Sequence, residues 1–146
     1  MRFILALLAL ICFANCADVA LRSVSVKGTL LCGKEPYGNA HVRLYRVSSK
    51  DDHEILEQKQ TLSNGEFRLE GSTQGRPANE TTMTPVVRIY HKCDEEPDKD
   101  TYRRFQLQIP SIYVTRSRVS RNEYDIGKIN LQLIYPREES GIRLGS

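Results

Sequence analysis

Apolar and polar residues alternate along several short segments of this chain. Alternation with a period of two is typical of β-strands that bury one face. The positions that alternate together are Val24, Val26, Leu30 and Cys32; Ala40, Val42 and Leu44; Phe67 and Leu69; Val87, Ile89 and His91; Phe105, Leu107 and Ile109; and Ile129, Leu131 and Leu133. Each run predicts a strand, and the stretch 24–47 predicts the first sheet-forming pair.

Turn-forming residues separate these segments. Asn64-Gly65 is the strongest short hairpin signal in the chain. The segment 55–62 before it alternates poorly and is compatible with one or two helical turns. Its position favours a polar edge strand that pairs with 66–70 through the Asn64-Gly65 turn. The segment 112–115 predicts a further short strand.

The pattern therefore predicts an all-β fold. Seven or eight short strands, with regular turns and no convincing amphipathic helix, indicate an antiparallel β-sandwich of two sheets. One domain suits a chain of 146 residues. We expect that domain to span 18–136, followed by a flexible C-terminal tail over 137–146.

The first residues have the pattern of a secretory signal. Arg2 precedes an apolar run from Phe3 to Phe13, and small residues follow it. The run is too short for a stable membrane span, although a retained signal anchor is the alternative. Cleavage after Cys16 or after Ala17 satisfies the small-residue preference. We expect a cleaved signal peptide over 1–17 and a secreted, extracellular protein.

Signal cleavage leaves two cysteines, Cys32 and Cys93, both on the apolar parity of their strands. In an oxidising compartment they allow one disulfide, which closes a loop of about sixty residues and stabilises the fold by roughly 4 kcal/mol. Two free buried thiols are the alternative. The loop 71–85 also contains Asn79-Glu-Thr81, an acceptor pattern for N-glycosylation at Asn79.

Five segments occur in a fixed order: VKGTLLCG from Val26, NAHVRLY from Asn39, LSNGEFRLEG from Leu62, VRIYHKC from Val87 and YDIGKINL from Tyr124. Together they resemble the nematode transthyretin-like family of secreted proteins. The resemblance implies a transthyretin-like sandwich, a Cys32–Cys93 disulfide and a nematode source. Most members have no known function. At least one member bridges phosphatidylserine on dying cells to an engulfment receptor.

The wider superfamily includes hydroxyisourate hydrolases, which use clustered histidines, an arginine and a C-terminal Tyr-Arg-Gly-Ser. Here the chain reads Tyr135-Pro-Arg-Glu and continues, so that motif is absent. His41, His53 and His91 show no spacing typical of metal ligands, and His91 fits a buried, hydrogen-bonded role. The chain also contains no nucleophile elbow, phosphate loop or zinc signature. We expect no catalysis, no metal and no cofactor.

Charged residues are concentrated in two predicted loops, one acidic and one basic. The net charge is +3, without a basic run dense enough for nucleic acid. The acidic segment 94–100 lacks the spacing and glycine of an EF-hand calcium loop, which favours a solvated loop. Arg116, Arg118 and Arg121 form a candidate ligand surface, since arginine binds phosphate and carboxylate bidentately, and a solvated basic loop is the alternative. Arg43 and Tyr45, which the parity predicts to be exposed, are candidates to extend it.

These observations predict a secreted, non-catalytic extracellular binding protein. Its expected partner is a cell-surface protein or an anionic lipid headgroup, including a role in bridging apoptotic cells. A carrier of small apolar ligands is the alternative, and a hydroxyisourate-type hydrolase ranks below both. Nucleic acid and a transmembrane span are not expected, and the sequence leaves the oligomeric state open.

Overall fold

The structure is a computed structural model, which describes residues 20–47 and 53–145. In these residues nine strands form two sheets, which confirms the predicted β-sandwich, with more strands than the seven or eight expected. The strands are β1 (Ser23–Cys32), β2 (Glu35–Pro36), β3 (His41–Val47), β4 (His53–Gln60), β5 (Glu66–Ser72), β6 (Pro85–His91), β7 (Tyr102–Gln108), β8 (Glu123–Asn130) and β9 (Glu139–Ile142). The signal peptide predicted for 1–17 lies outside the described residues.

The smaller sheet is built on β1. This strand pairs antiparallel with β2 and β5 and parallel with β8. The ladder between β1 and β8 shifts register between Lys27 and Thr29. Gly127, which has a φ of 83°, lies in β8 opposite this irregularity, where its lack of a Cβ accommodates the left-handed backbone.

The larger sheet has the order β4-β3-β6-β7-β9, with every neighbouring pair antiparallel. Val42, Ile89 and Phe105 lie opposite one another across β3, β6 and β7, and all three are buried. They face Val26, Leu30 and Leu69 of the smaller sheet within one apolar core. The alternation read from the sequence therefore identifies the buried face of both sheets. The exception is Leu133, which lies beyond the end of β8 and is 57% exposed.

A disulfide joins the two sheets, as the sequence predicts. Cys32 is the last residue of β1, and Cys93 lies just beyond the end of β6. Their Cα atoms are 5.7 Å apart, and Cys93 is almost fully buried. Since β1 and β6 belong to different sheets, the bond is a covalent link between the two layers.

Two predicted pairings are wrong. β4 pairs with β3 and not with β5, and β5 pairs with β1. Likewise, β1 and β3 are not a sheet-forming pair, because they belong to different sheets. In both cases the connection carries the chain from one sheet to the other. The two strands that it joins therefore pack on opposite sides of the core.

Two other segments differ from their predictions. Ser111–Tyr113 is a short 3-10 helix, and of the predicted strand at 112–115 only Thr115 forms a bridge, to Ser23. The segment predicted as a flexible tail contains β9, which pairs with β7. Its sequence offers little apolar alternation, and it is held by polar contacts such as Arg104 with Glu139. No helix in the described part of the chain is long and apolar enough to cross a membrane.

Gly65 and Gly75 provide a matched test of the turn that carries the chain between the sheets. Both have left-handed backbones, with φ of 82° and 85°. A Cβ on Gly65 would collide with the Leu30 carbonyl oxygen, whereas a Cβ on Gly75 meets no atom within 4 Å. We expect Gly75→Ala to lower the free energy of unfolding by about 1 kcal/mol, which is the left-handed strain alone.

Gly65→Ala should cost about 3 kcal/mol or more, because the collision with backbone adds to the same strain. Chemical denaturation of both variants measures the difference. Equal losses would show that Gly65 is not held against Leu30.

Candidate functional site

The arginine segment is a loop with a fixed base. Thr115 and Ser23 exchange two backbone hydrogen bonds of 2.8 and 2.9 Å, which attach the loop to the start of β1. The Arg121 N–H donates to Thr115 Oγ1 at 3.0 Å and closes the loop on the same residue. Within it, the Ser117 hydroxyl donates to the Val119 carbonyl at 2.7 Å. Residues 116–120 therefore project from an anchored base.

The three predicted arginines lie together on this loop and are exposed. Arg116, Arg118 and Arg121 form no ion pair with any other described residue. The same connection exposes two large apolar side chains, Ile112 at 77% and Val119 at 61%. We call residues 110–122 the arginine loop. The sequence analysis missed its apolar component, whose only signal was two aliphatic residues outside any predicted buried face.

Arg43 and Tyr45 do not extend this surface. Both lie on the larger sheet, whereas the arginine loop leads into β8 of the smaller one. The prediction that Tyr45 is exposed is wrong, since only 5% of it is accessible. The Arg88 guanidinium lies 4.5 Å from the centre of its ring, and His53 packs edge-on against it. The alternation correctly predicts that Tyr45 points outward from the sheet. It does not predict that Arg88 and His53 pack over its ring.

The histidines are not clustered. His41 and His91 lie at opposite faces of the larger sheet: His41 packs on Tyr102 outside, and His91 packs on Phe105 within the core. Because a β-sheet separates them, they do not face a common cleft. The arrangement used by hydroxyisourate hydrolases is therefore not formed by these two residues.

His91 is buried and hydrogen-bonded, as the sequence predicts, and its imidazole is neutral. Its Nδ1 accepts a hydrogen bond from the Cys93 N–H at 3.1 Å, so the ring proton lies on Nε2. Burial, with a smaller contribution from the positive charge of Arg103, lowers the pKa of His91 to about 4, while the negative charge of Asp94 opposes the shift. Glu138 lies 3.7 Å from Nε2, but it is already paired with Arg103 at 2.7 Å.

The described residues form neither an open metal-binding site nor a deep apolar pocket. The one close group of potential ligands is Cys32, Cys93 and Asp94, in which both sulfurs are already bonded to each other. In the acidic segment, Glu95 pairs with Lys99 at 3.4 Å. A cleft of about 510 Å³ is lined by charged residues that include Lys27, Lys59, Glu66, Arg68 and Asp125, alongside Leu62 and Phe67. An apolar ligand needs a more enclosed, less charged site.

These features define a two-sheet β-sandwich tied by one disulfide. The sequence profile of the transthyretin-like family, TTR-52, matches residues 27–110. The chain belongs to the transthyretin-like family, whose members are typically secreted.

Three curated relatives from Caenorhabditis elegans are similar to this chain. Transthyretin-like protein 46 is 39% identical over 81% of this chain, which spans 64% of that relative's length. Transthyretin-like protein 33 is 33% identical, with 90% of this chain and 89% of the relative covered. Transthyretin-like protein 5 is 32% identical, with 80% and 81% covered.

The buried His91 predicts a specific loss of stability in acid. Its pKa is about 4 in the folded protein and 6.5 in an ordinary environment, so the unfolded chain takes up a proton first as the pH falls. The contribution to the free energy of unfolding is complete above pH 6.5 and decreases by roughly 3 kcal/mol down to pH 4.

Denaturant unfolding between pH 4 and 7.5 measures this decrease. His91→Gln, which cannot titrate, should show a shallower fall over the same window. An identical pH profile for His91→Gln and the wild type would contradict the buried neutral imidazole.

Proposed function

We propose that this protein is a secreted, non-catalytic binding protein that attaches to anionic lipid surfaces through the arginine loop. The proposal assumes that residues 1–17 are removed as a signal peptide. The observation that carries it is the combination, within the arginine loop, of three arginines without ion-pair partners among the described residues and two exposed apolar side chains. Val119 lies on the anchored part of the loop, and Ile112 lies in the 3-10 helix just before it.

The chemistry of the loop suits the surface of a bilayer. Guanidinium groups bind phosphate and carboxylate oxygens of lipid headgroups bidentately. Ile112 and Val119, at 77% and 61% exposure, supply apolar area for burial between headgroup and acyl chains. A partner protein would use the same arginines, but it would not require vesicles for binding.

Asn79 is a candidate glycosylation site if the protein passes through the secretory compartment. It lies exposed in the loop between β5 and β6, within Asn79-Glu-Thr81. We propose that it carries an N-linked glycan, because an exposed acceptor in an oxidising secretory compartment is open to modification. The hydrolase and the apolar-carrier alternatives gain no comparable support from a specific site.

Charge reversal in the arginine loop tests the lipid proposal. The variant Arg116→Glu/Arg118→Glu/Arg121→Glu should bind phosphatidylserine vesicles at least about 100-fold more weakly than wild type, since each basic residue near an anionic surface contributes about 1 kcal/mol. Co-sedimentation with vesicles of known composition measures the affinity.

The matched control is Lys34→Glu/Lys128→Glu/Arg137→Glu, which changes three exposed cations elsewhere by the same total charge. It should retain most of the binding. Ile112→Ser/Val119→Ser tests the apolar contribution without a change in charge and should also weaken binding. Equal losses in the charge-reversal variant and its control would show that binding depends on net charge and not on the arginine loop. If the wild type does not bind the vesicles, the lipid proposal is refuted.

A further inference from the structure

A second cationic surface lies on the opposite layer of the sandwich, on the outer face of the larger sheet. The outward positions of β3, β6 and β7 include Arg43, Arg88 and Arg104 and no carboxylate. Arg43 and Arg88 are direct cross-strand partners, which places their Cα atoms about 5 Å apart. Like charges directly opposite each other destabilise a sheet unless something offsets them.

Tyrosine rings hold these guanidinium groups in place. Arg43 lies 4.8 Å and Arg104 lies 5.9 Å from the ring centre of Tyr90, while Arg88 lies 4.5 Å from the ring centre of Tyr45. Stacking on a ring uses one flat side of a guanidinium and restricts its rotation. Its N–H donors are therefore fixed in position before any ligand arrives, which reduces the entropy lost on binding.

The C-terminal segment covers part of this face. After β9 the chain turns back over the sheet, and the Leu144 carbonyl accepts a hydrogen bond of 2.8 Å from Nη2 of Arg43, whose guanidinium lies over the Tyr90 ring of β6. Tyr90 of β6, although it points outward, is fully buried. Glu139 of β9 pairs with Arg104. The segment thus gives Arg43 an uncharged oxygen where a charged ligand oxygen would bind more strongly.

We propose that Arg43, Arg88 and Arg104 form a binding site for sulfate ester groups of a sulfated glycan, and that residues 143–145 cap this site in the free protein. A sulfate ester presents three terminal oxygens that guanidinium forks can bind. Arg43 and Arg104, which both lie against the Tyr90 ring, are placed to bind one sulfate, and Arg88, on the Tyr45 ring, is placed to bind a neighbouring one. Binding of these sulfates would displace the Leu144 carbonyl from Arg43 and neutralise the repulsion between Arg43 and Arg88.

A glycan fits this face better than a membrane does. The large apolar residues exposed in the described chain are Ile55, Leu62, Ile112, Val119, Leu133 and Ile134, and among these only Ile55 lies on a strand of the larger sheet. A lipid surface would need apolar side chains to insert, and the arginine loop supplies them instead. A linear chain with repeated sulfates reaches several fixed cations on a flat sheet at once.

The test uses a heparin-derived tetrasaccharide and the full-length secreted protein. Arg43→Gln/Arg88→Gln should weaken binding about tenfold or more in titration calorimetry, because two charge-assisted contacts are lost. The matched control, Lys34→Gln/Lys128→Gln, removes the same charge from exposed positions elsewhere and should bind within about twofold of wild type.

Removal of the cap tests the second part of the proposal. A chain that ends at Ile142 should bind the tetrasaccharide several-fold more tightly, since no carbonyl competes for Arg43. Arg143→Gln in the full chain controls for the charge that the truncation removes. Tighter binding by this control to the same extent, or no change on truncation, would overturn the capping role.

Three results would overturn the glycan site. These are no binding of the tetrasaccharide by the wild type, equal losses in the variant and its control, and stronger binding of phosphatidylserine vesicles than of the tetrasaccharide through Arg43 and Arg88. If the glutamine variant fails to fold, Arg43→Lys/Arg88→Lys keeps the charge but loses the forked donors. It should still lose several-fold in affinity.

Discussion

The disulfide between Cys32 and Cys93 is the constraint on which this small sandwich most depends. It links the end of β1 to the chain just after β6, and therefore joins the two sheets covalently at one end of the core. The residues beside the disulfide form a network of hydrogen bonds. The Cys93 N–H donates to His91, and the Arg103 guanidinium donates to the Cys93 carbonyl. Arg103 in turn pairs with Glu138, so the position of the C-terminal segment follows from the same crosslinked corner.

Much of the fold could be predicted from the alternation of side chains. Val26, Ile89 and Phe105 are buried as their parity indicates, and the two cysteines were placed correctly near the core. Alternation identifies the buried face of a strand but not its neighbour. The Asn64-Gly65 turn therefore predicts a hairpin between the strands before and after it, whereas these strands belong to different sheets. The sequence pattern does not predict β9, because the contacts that hold this strand are polar and join residues that are distant in sequence.

The two cationic surfaces illustrate a second limit. The arginine loop was visible in the sequence because its three arginines are close together along the chain. Arg43, Arg88 and Arg104 are far apart in sequence and become neighbours only through the register of β3, β6 and β7. The two surfaces belong to different sheets, which would allow one molecule to contact a lipid headgroup and a sulfated glycan at separate sites.

Removal of the crosslink tests the account most directly. The disulfide closes a loop with a sequence separation of 61 residues. The variant Cys32→Ala/Cys93→Ala should lose about 4 kcal/mol in free energy of unfolding by denaturant titration, and chemical reduction of the wild type should give a similar loss without a change in packing. Unchanged stability in both experiments, or two free thiols in the native protein, would contradict the central role of this bond.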